Sequence, residues 1–317
     1  ELTLKRPFSP LAELLSAVNL TPLSPSAYKN HRDRFLNDRF VGTGPYRLSF
    51  FTGQQQRLEP FAGYWGAKPA NGGIDLVSLS NSTALYGALQ SGEVDVLLST
   101  SLEIDQQAAL QRQAAAGSLQ VGSGPALEIG YLTMLTDQPP LNDPRLRQAV
   151  AYSLDRNTIS RRVTLGLRPP LRELVHPNLK GSDPQVWPSY NPAKAREYLK
   201  KAGLNGLSVD LSVSDVAFAG ALDTALMWRE HAKACGINLN VIREPADGYF
   251  TNVWRKKPFV ATYWFGRPTV DWMMALAFAS NAVWNDTSWS DTRFDELLAA
   301  ARSETDEEKR SAMYAET

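Results

Sequence analysis

The sequence predicts an α/β protein of about two domains, and three observations carry that expectation. The chain has 317 residues, enough for about two domains at roughly 100–200 residues each. Short runs of alternating apolar residues, such as residues 74–79 and 207–213, take turns along it with helical patterns. Those helical patterns carry caps: Asn or Asp before a proline at the start, and glycine (Gly92, Gly203, Gly236) at the stop.

The elements follow in order. Pro10, Leu11, Leu14, Leu15 and Val18 have helical spacing, and a polar loop with His31 follows. Residues 41–48 read as a Gly-rich turn feeding a strand; a phosphate loop would end in Gly-Lys-Ser/Thr, which is missing here. Arg57-Leu58-Glu59-Pro60 leads to Tyr64-Trp65, and residues 74–79 alternate as a strand. Ser82 reads as a cap for a helix through Leu85 and Leu89 that Gly92 ends. Residues 93–98 then read as the second strand of a parallel crossover unit.

Residues 128–136 form an extended arm, after which Asn142 or Asp143 caps a helix beginning at Pro144. Leu146, Val150 and Leu154 give that helix one apolar stripe. Asp155 and Asn157 offer a second cap before Ile159 and Val163. Asn191 caps another helix, with Pro192 first, Ala195 and Leu199 inward and Gly203 closing it. Strands at 207–213, 237–241 and 259–264 follow, with a helix at 222–234 between the first two. The last helices run from Phe294 to Arg302 and from near Asp306.

Composition narrows the function. Hydrophobic residues make 43% and charged residues 21%, ordinary values for a globular protein. Lys plus Arg and Asp plus Glu are 33 each, so no net field draws nucleic acid or an anionic membrane, and no nucleic-acid partner is expected. Cys235 is the sole cysteine and excludes an intrachain disulfide. No apolar run reaches the roughly 18 residues of a membrane span. The first residues lack a signal-peptide pattern, and the chain stops inside an apparent helix. A fragment of a longer protein is therefore expected.

Several stretches resemble one family in the same order: "VGTGPYRL" from Val41, "YWG" from Tyr64, "LQSGEVDV" from Leu89, "LNDPRLRQAVAYSLDR" from Leu141 and "YNPAKAREYLKKAGL" from Tyr190. They resemble the family 5 extracellular solute-binding proteins, the oligopeptide-, dipeptide- and nickel-type receptors of ABC importers. The resemblance implies an α/β, two-lobed periplasmic-binding-protein type II fold, with mixed sheets flanked by helices. Residues 1–128 would belong to lobe I, 129–136 to a hinge-crossing arm and 137–317 to lobe II, without the family's N-terminal segment and C-terminal end. It also implies a ligand held in the crevice between lobes and delivery to ABC permease transmembrane subunits. The expected protein is a monomer without cofactor, periplasmic or lipid-anchored at the outer face of the cytoplasmic membrane.

The cluster from Tyr263 to Met273 is the expected ligand site, with Trp264, Phe265, Gly266, Arg267, Thr269 and Asp271 as its contacts. In the peptide receptors a matching strand end carries a Trp and then an aspartate for the peptide's amino terminus. Trp264 matches, but Arg267 occupies the position of that aspartate. A guanidinium repels an ammonium and prefers a carboxylate or phosphate. Asp271 has two readings that stay open: it recovers the ammonium role, or it pairs with Arg267 as a loop staple. Trp284 and Asn285 would add a stacking face and an amide, while Asp286 reads as loop surface. Tyr249, with Phe250 beside it, and Tyr131 in the arm complete the expected set.

The ligand expected is a peptide or a related small organic solute, such as a sugar–amino acid conjugate or another anion. Nickel is disfavoured because no histidine lies in these segments, and no metal ligands are assigned. His231 and Cys235, four apart on one helix, lack a third partner for zinc, and Cys235 reads as a buried helix-end residue. His31 and His176 read as loop residues. No catalytic residue is assigned. The rival reading is an α/β hydrolase or transferase using the same crevice, but no Gly-x-Ser-x-Gly elbow is present.

Overall fold

The computed structural model describes residues 3–15, 24–30, 41–97, 102–122, 128–171, 188–267 and 269–317. Val18, His31 and His176 lie outside them. The chain divides into two compact units, Leu11–Leu102 and a larger one made of Glu1–Pro10 with Glu103–Thr317.

The smaller unit contains α1 (Leu11–Leu15), α2 (Pro25–Asn30), β1 (Tyr46–Phe51), β2 (Gln55–Pro60), β3 (Ile74–Val77) and α3 (Ser82–Ser91). Its three strands form an antiparallel meander in the order β1-β2-β3. β2 was not anticipated, because its Gln, Arg and Glu side chains hide the alternation. Asn81, not Ser82, caps α3, accepting the Ala84 N–H at 2.9 Å. Gly92 closes that helix in the left-handed region at φ 77°.

The expected strand at 93–98 is corrected by the structure: residues 93–97 are not a strand, and residue 98 lies outside the described residues. The N–H groups of Glu93 and Val94 both turn back to the Ala88 carbonyl, at 2.9 and 3.3 Å. Donors committed to the helix end are not free for a ladder. β3 accordingly has an antiparallel neighbour, β2, rather than a crossover partner.

The larger unit begins with α4 (Ile104–Ala115), also unanticipated. Its start is legible in retrospect, since the Gln106 side chain reaches back to the Glu103 N–H at 3.0 Å. Then come β4 (Glu128–Met134), α5 (Pro144–Tyr152), α6 (Arg156–Arg162), α7 (Pro192–Lys201), β5 (Leu207–Val213), α8 (Ala221–Lys233) and β6 (Ile237–Arg243). α9 (Tyr249–Asn252), β7 (Phe259–Phe265), α10 (Val270–Met273) running into a widened π turn (Met274–Phe278), α11 (Thr292–Ser303) and α12 (Glu307–Glu316) complete it.

The sheet order is β4-β7-β5-β6. β5 and β6 pair in parallel through the α8 crossover, with Leu207 opposite Ile237. β7 lies parallel to β5, and β4 runs antiparallel to β7 from Glu128↔Phe265 to Met134↔Phe259. The mixed sheet flanked by helices is as expected.

The charged residues of the Asn142–Arg156 stretch act as scaffold. Asp143 caps α5 by accepting the Arg145 N–H at 2.8 Å, and Arg145 reaches the Lys201 carbonyl at the end of α7. Arg147 donates to the Leu141 carbonyl at 2.7 Å, and Asp155 caps α6 through the Thr158 N–H. Leu146 and Val150 are buried against the main core. Trp228 of α8 lies edge-on to Phe259 of β7 and donates to Ser153 Oγ at 2.9 Å, tying α5, α8 and the sheet together. A second, smaller core gathers Trp264, Val270, Met273, Phe278, Phe294, Leu298 and Tyr314 beyond the end of β7.

Candidate functional site

Strand alternation sorts the end of β7. Trp264 turns into the second core and is 6% exposed, while Tyr263 and Phe265 sit on the other face with their rings 5.1 Å apart. Phe265 is exposed, and Phe250 packs edge-on to Tyr263.

Gly266 then leads to Arg267, whose guanidinium lies 5.7 Å from the centre of the Trp272 ring. Among the described residues Arg267 makes no ion pair, and its buried Nε has no hydrogen bond. Burial holds its pKa below the usual guanidinium value. An arginine so placed has its planar fork uncommitted, the arrangement that suits a carboxylate or phosphate. Thr269 caps α10, its Oγ1 accepting the Trp272 N–H at 3.2 Å, and so steadies the ring under Arg267.

Asp271 corrects both sequence readings. It is 2% exposed and pairs with Arg302 of α11, Nε to Oδ1 at 2.7 Å and Nη2 to Oδ2 at 3.3 Å. The Tyr314 hydroxyl of α12 donates to the same Oδ1 at 3.1 Å. The carboxylate is therefore neither the staple of Arg267 nor a group open to an ammonium. Tertiary packing supplied a cation 31 residues away that local spacing could not show.

The loop before α11 is built by Asn285. Its Nδ2 donates to the Ala279 and Trp289 carbonyls at 3.2 and 2.8 Å, and its Oδ1 accepts the Thr287 N–H and hydroxyl. That amide is satisfied within the loop. Trp284 keeps a face outward at 43% exposed, with its ring 5.7 Å from Trp264.

Asp286 is a second correction, being 2% exposed instead of loop surface. Its Oδ2 accepts both the Trp254 and Trp264 indole N–H groups, at 3.1 and 3.2 Å. Burial pushes its pKa above the ordinary carboxylate range, and the two indole bonds only partly offset that. Tyr131, opposite Thr262 in the β4–β7 register, has its phenol pKa raised by burial and then by this carboxylate.

Tyr249 stands apart from the other expected residues. It is 1% exposed in the main core, its hydroxyl 2.7 Å from the Ala261 carbonyl and 3.2 Å from that of Ser212. The structure thus brings Tyr131 and Trp264 to Asp286, sets Trp284 against Trp264 and Arg267 on Trp272, and places Asp271 and Tyr249 in structural bonds. Trp254 has no local signal that marks it, and the burial of Asp286 has none either. Cys235 is buried at the end of α8 beside the His231 carbonyl. Among the described residues no group of three or more His, Cys, Asp or Glu gathers as a metal site.

Residues 1–286 match the family model described as bacterial extracellular solute-binding proteins, family 5 Middle. The glutathione-binding protein GsiB of Salmonella choleraesuis is 27% identical over 331 residues, covering 100% of this chain and 63% of that protein. GsiB of Escherichia coli O157:H7 is 25% identical, covering 99% and 63%. The chain thus spans 63% of the length of these curated relatives. Among solved structures, MoaA of A. tumefaciens R10 in complex with mannopinic acid superposes with a TM-score of 0.78 at 26% identity, covering 99% of this chain and 64% of that one. DppA of Helicobacter pylori in complex with the peptide STSA superposes at 0.77 and 20% identity, covering 99% and 62%, and shows the shared fold alone.

Proposed function

The chain belongs to the bacterial extracellular solute-binding proteins of family 5, and from that premise we propose that it is the capturing part of an ABC importer receptor. Its type II periplasmic-binding fold supports the same reading. The solute is a small amino-acid-derived organic acid, peptide-like or conjugated, delivered to a membrane permease. The protein works in the periplasm or outside the cell.

The observation that carries the ligand class is Arg267, a part-buried guanidinium on an aromatic ring with no anionic partner among the described residues. It favours a carboxylate-bearing solute over one recognised through its ammonium alone. The curated relatives named above are glutathione-binding, and the MoaA complex holds mannopinic acid. The division into lobes at 1–128, 129–136 and 137–317 belongs to this proposal, as do ligand contacts from Trp264, Phe265, Gly266, Arg267, Thr269, Trp284 and Tyr131. Function is binding without turnover: ligand stabilises a closed state, and the permease reads that state.

Native mass spectrometry of the intact protein as purified tests the reading. A retained acid of amino-acid origin supports it. Conversion of a bound ester or peptide into product, with rate enhancement by the protein, would show a hydrolase instead.

A further inference from the structure

The turn after α6 presents a leucine to solvent among arginines. Leu165 is 53% exposed, and its backbone sits in the left-handed region at φ 52°. A leucine is an outlier there, because its Cβ crowds the following carbonyl. The turn is nonetheless locked. The Ser160 carbonyl accepts the Gly166 N–H and the Thr164 hydroxyl, each at 2.9 Å, and Ser160 Oγ donates to the Arg168 carbonyl at 2.7 Å. The Leu167 N–H closes onto the Thr164 carbonyl at 2.9 Å. The fold thus holds a strained apolar residue outward, and neither hydrophobic core includes it.

Arg161 and Arg162, in the last turn of α6, are exposed, and Arg168 follows the turn, part-buried. None of the three makes an ion pair among the described residues. Arg161 donates to Thr158 Oγ1 at 3.1 Å. The acids in their field are Glu128 for Arg168 and Asp155 for Arg161. Asp155 is committed to the Thr158 N–H and hydroxyl, at 3.0 and 2.7 Å. Two arginines at a helix C-terminus complement its dipole. That accounts for Arg161 and Arg162, but for neither Arg168 nor Leu165.

Beside Arg161 the surface is concave, with a pocket of about 310 Å³ bounded by Asp155, Arg156, Asn157, Arg161, Ser189 and Tyr190. Arginines around an apolar anchor suit a protein interface, and a pre-set side chain loses little freedom on binding. A positive patch steers and selects an acidic partner. The relief fits a protein better than the flat face of an anionic bilayer. Zero net charge gives the chain no general pull towards such a surface.

We propose that Leu165, ringed by Arg161, Arg162 and Arg168, is a docking tip for an acidic extracytoplasmic segment of the membrane permease. It rests on the reading of the chain as an importer receptor and assigns a surface to that encounter. The leucine is the anchor, and the arginines set orientation and partner choice.

The test places the photoprobe p-benzoylphenylalanine at Leu165 of the intact protein in the cells that make it. Adducts formed on irradiation are identified by peptide mass. The expected adduct joins a permease transmembrane subunit through a segment rich in Asp and Glu. Its yield should fall at least tenfold when Arg161→Glu and Arg162→Glu are combined. The same probe at Asn240, exposed on β6, should give less than a tenth of the Leu165 yield. A phospholipid adduct would make the tip a membrane contact, and an adduct with a second copy would make it a self-association face. Each of these overturns the proposal, as do no adduct, an adduct with any other protein or a neutral permease segment, equal yield at Asn240, or a yield unmoved by charge reversal. Should the double glutamate variant lose its cooperative melt, Arg161→Gln with Arg162→Gln decides: a yield at least threefold lower supports the tip, and an unchanged yield rejects it. The mass of a retained solute is independent of all these outcomes, so a failed docking surface and a failed receptor reading are told apart.

Discussion

Arg302 Nε lies 2.7 Å from Asp271 Oδ1, joining α11 to the first turn after β7 within the second core. Tyr314 adds α12 to the same oxygen, and Phe8 lies under the guanidinium. Removing Arg302 leaves the buried Asp271 carboxylate without its cation, which costs about 3–5 kcal/mol. Arg302→Ala should therefore lower the urea midpoint sharply, and replacing Asp271 and Arg302 together by apolar residues should recover much of the loss. A double-variant loss equal to the sum of the two single losses would show that the pair is not coupled.

Arg267 should behave in the opposite way. Its guanidinium is part-buried and has no ion-pair partner among the described residues, so Arg267→Ala should leave the melting temperature unchanged or raise it. Affinity for an acidic solute should fall by about 1.5–3 kcal/mol, the range for hydrogen bonds to charged groups. Titration calorimetry with the retained solute measures it. Unchanged affinity would remove Arg267 from the site.

Asp286 makes stability depend on pH. Its folded pKa is raised, so the protonated form is the one the fold favours. That contribution is fully present below the unfolded carboxylate pKa of about 3.9 and is lost as pH rises through the folded value. Asp286→Asn removes the ionisation and should gain on the wild type as pH rises above about 4. Denaturation midpoints at a series of pH values check it; a constant difference across the series would mean the carboxylate does not titrate differently on folding.

The caps read from sequence carry ordinary energies. Asn191 Oδ1 accepts the Lys194 N–H at 3.0 Å, and Asn191→Ala should cost about 1 kcal/mol. Asn191→Ser, retaining an acceptor, should restore most of it in the same melt.

Leu211 of β5 is fully buried between helices and sheet neighbours. Leu211→Ala should cost about 2–5 kcal/mol, the spread reflecting how far the cavity collapses. A loss under 1 kcal/mol by urea denaturation would mean the sheet core is looser than its packing implies.

Legibility followed the range of the interaction. α5, α7, β5 and β7 were legible because a cap, a proline and an apolar period lie within a few residues of each other. β2 was hidden by its polar side chains, and residues 93–97 misled because their donors fold back on Ala88. At the site, Trp264 and Arg267 stood out as residue types at a strand end. Asp271 looked local and was not, since Arg302 and Tyr314 come from helices far along the chain.

The sequence by itself determined the fold class, the family resemblance and the charge reversal at Arg267, because periodicity, caps and residue identity are properties of neighbouring positions. Tertiary structure alone decided which acids are committed and which is not. Asp271 is neutralised by Arg302, while Asp286, which looked like loop surface, is sealed between two indoles with one oxygen unmet. The reason is physical: the state of a carboxylate depends on burial and on donors brought from distant segments, and the chain order does not contain either.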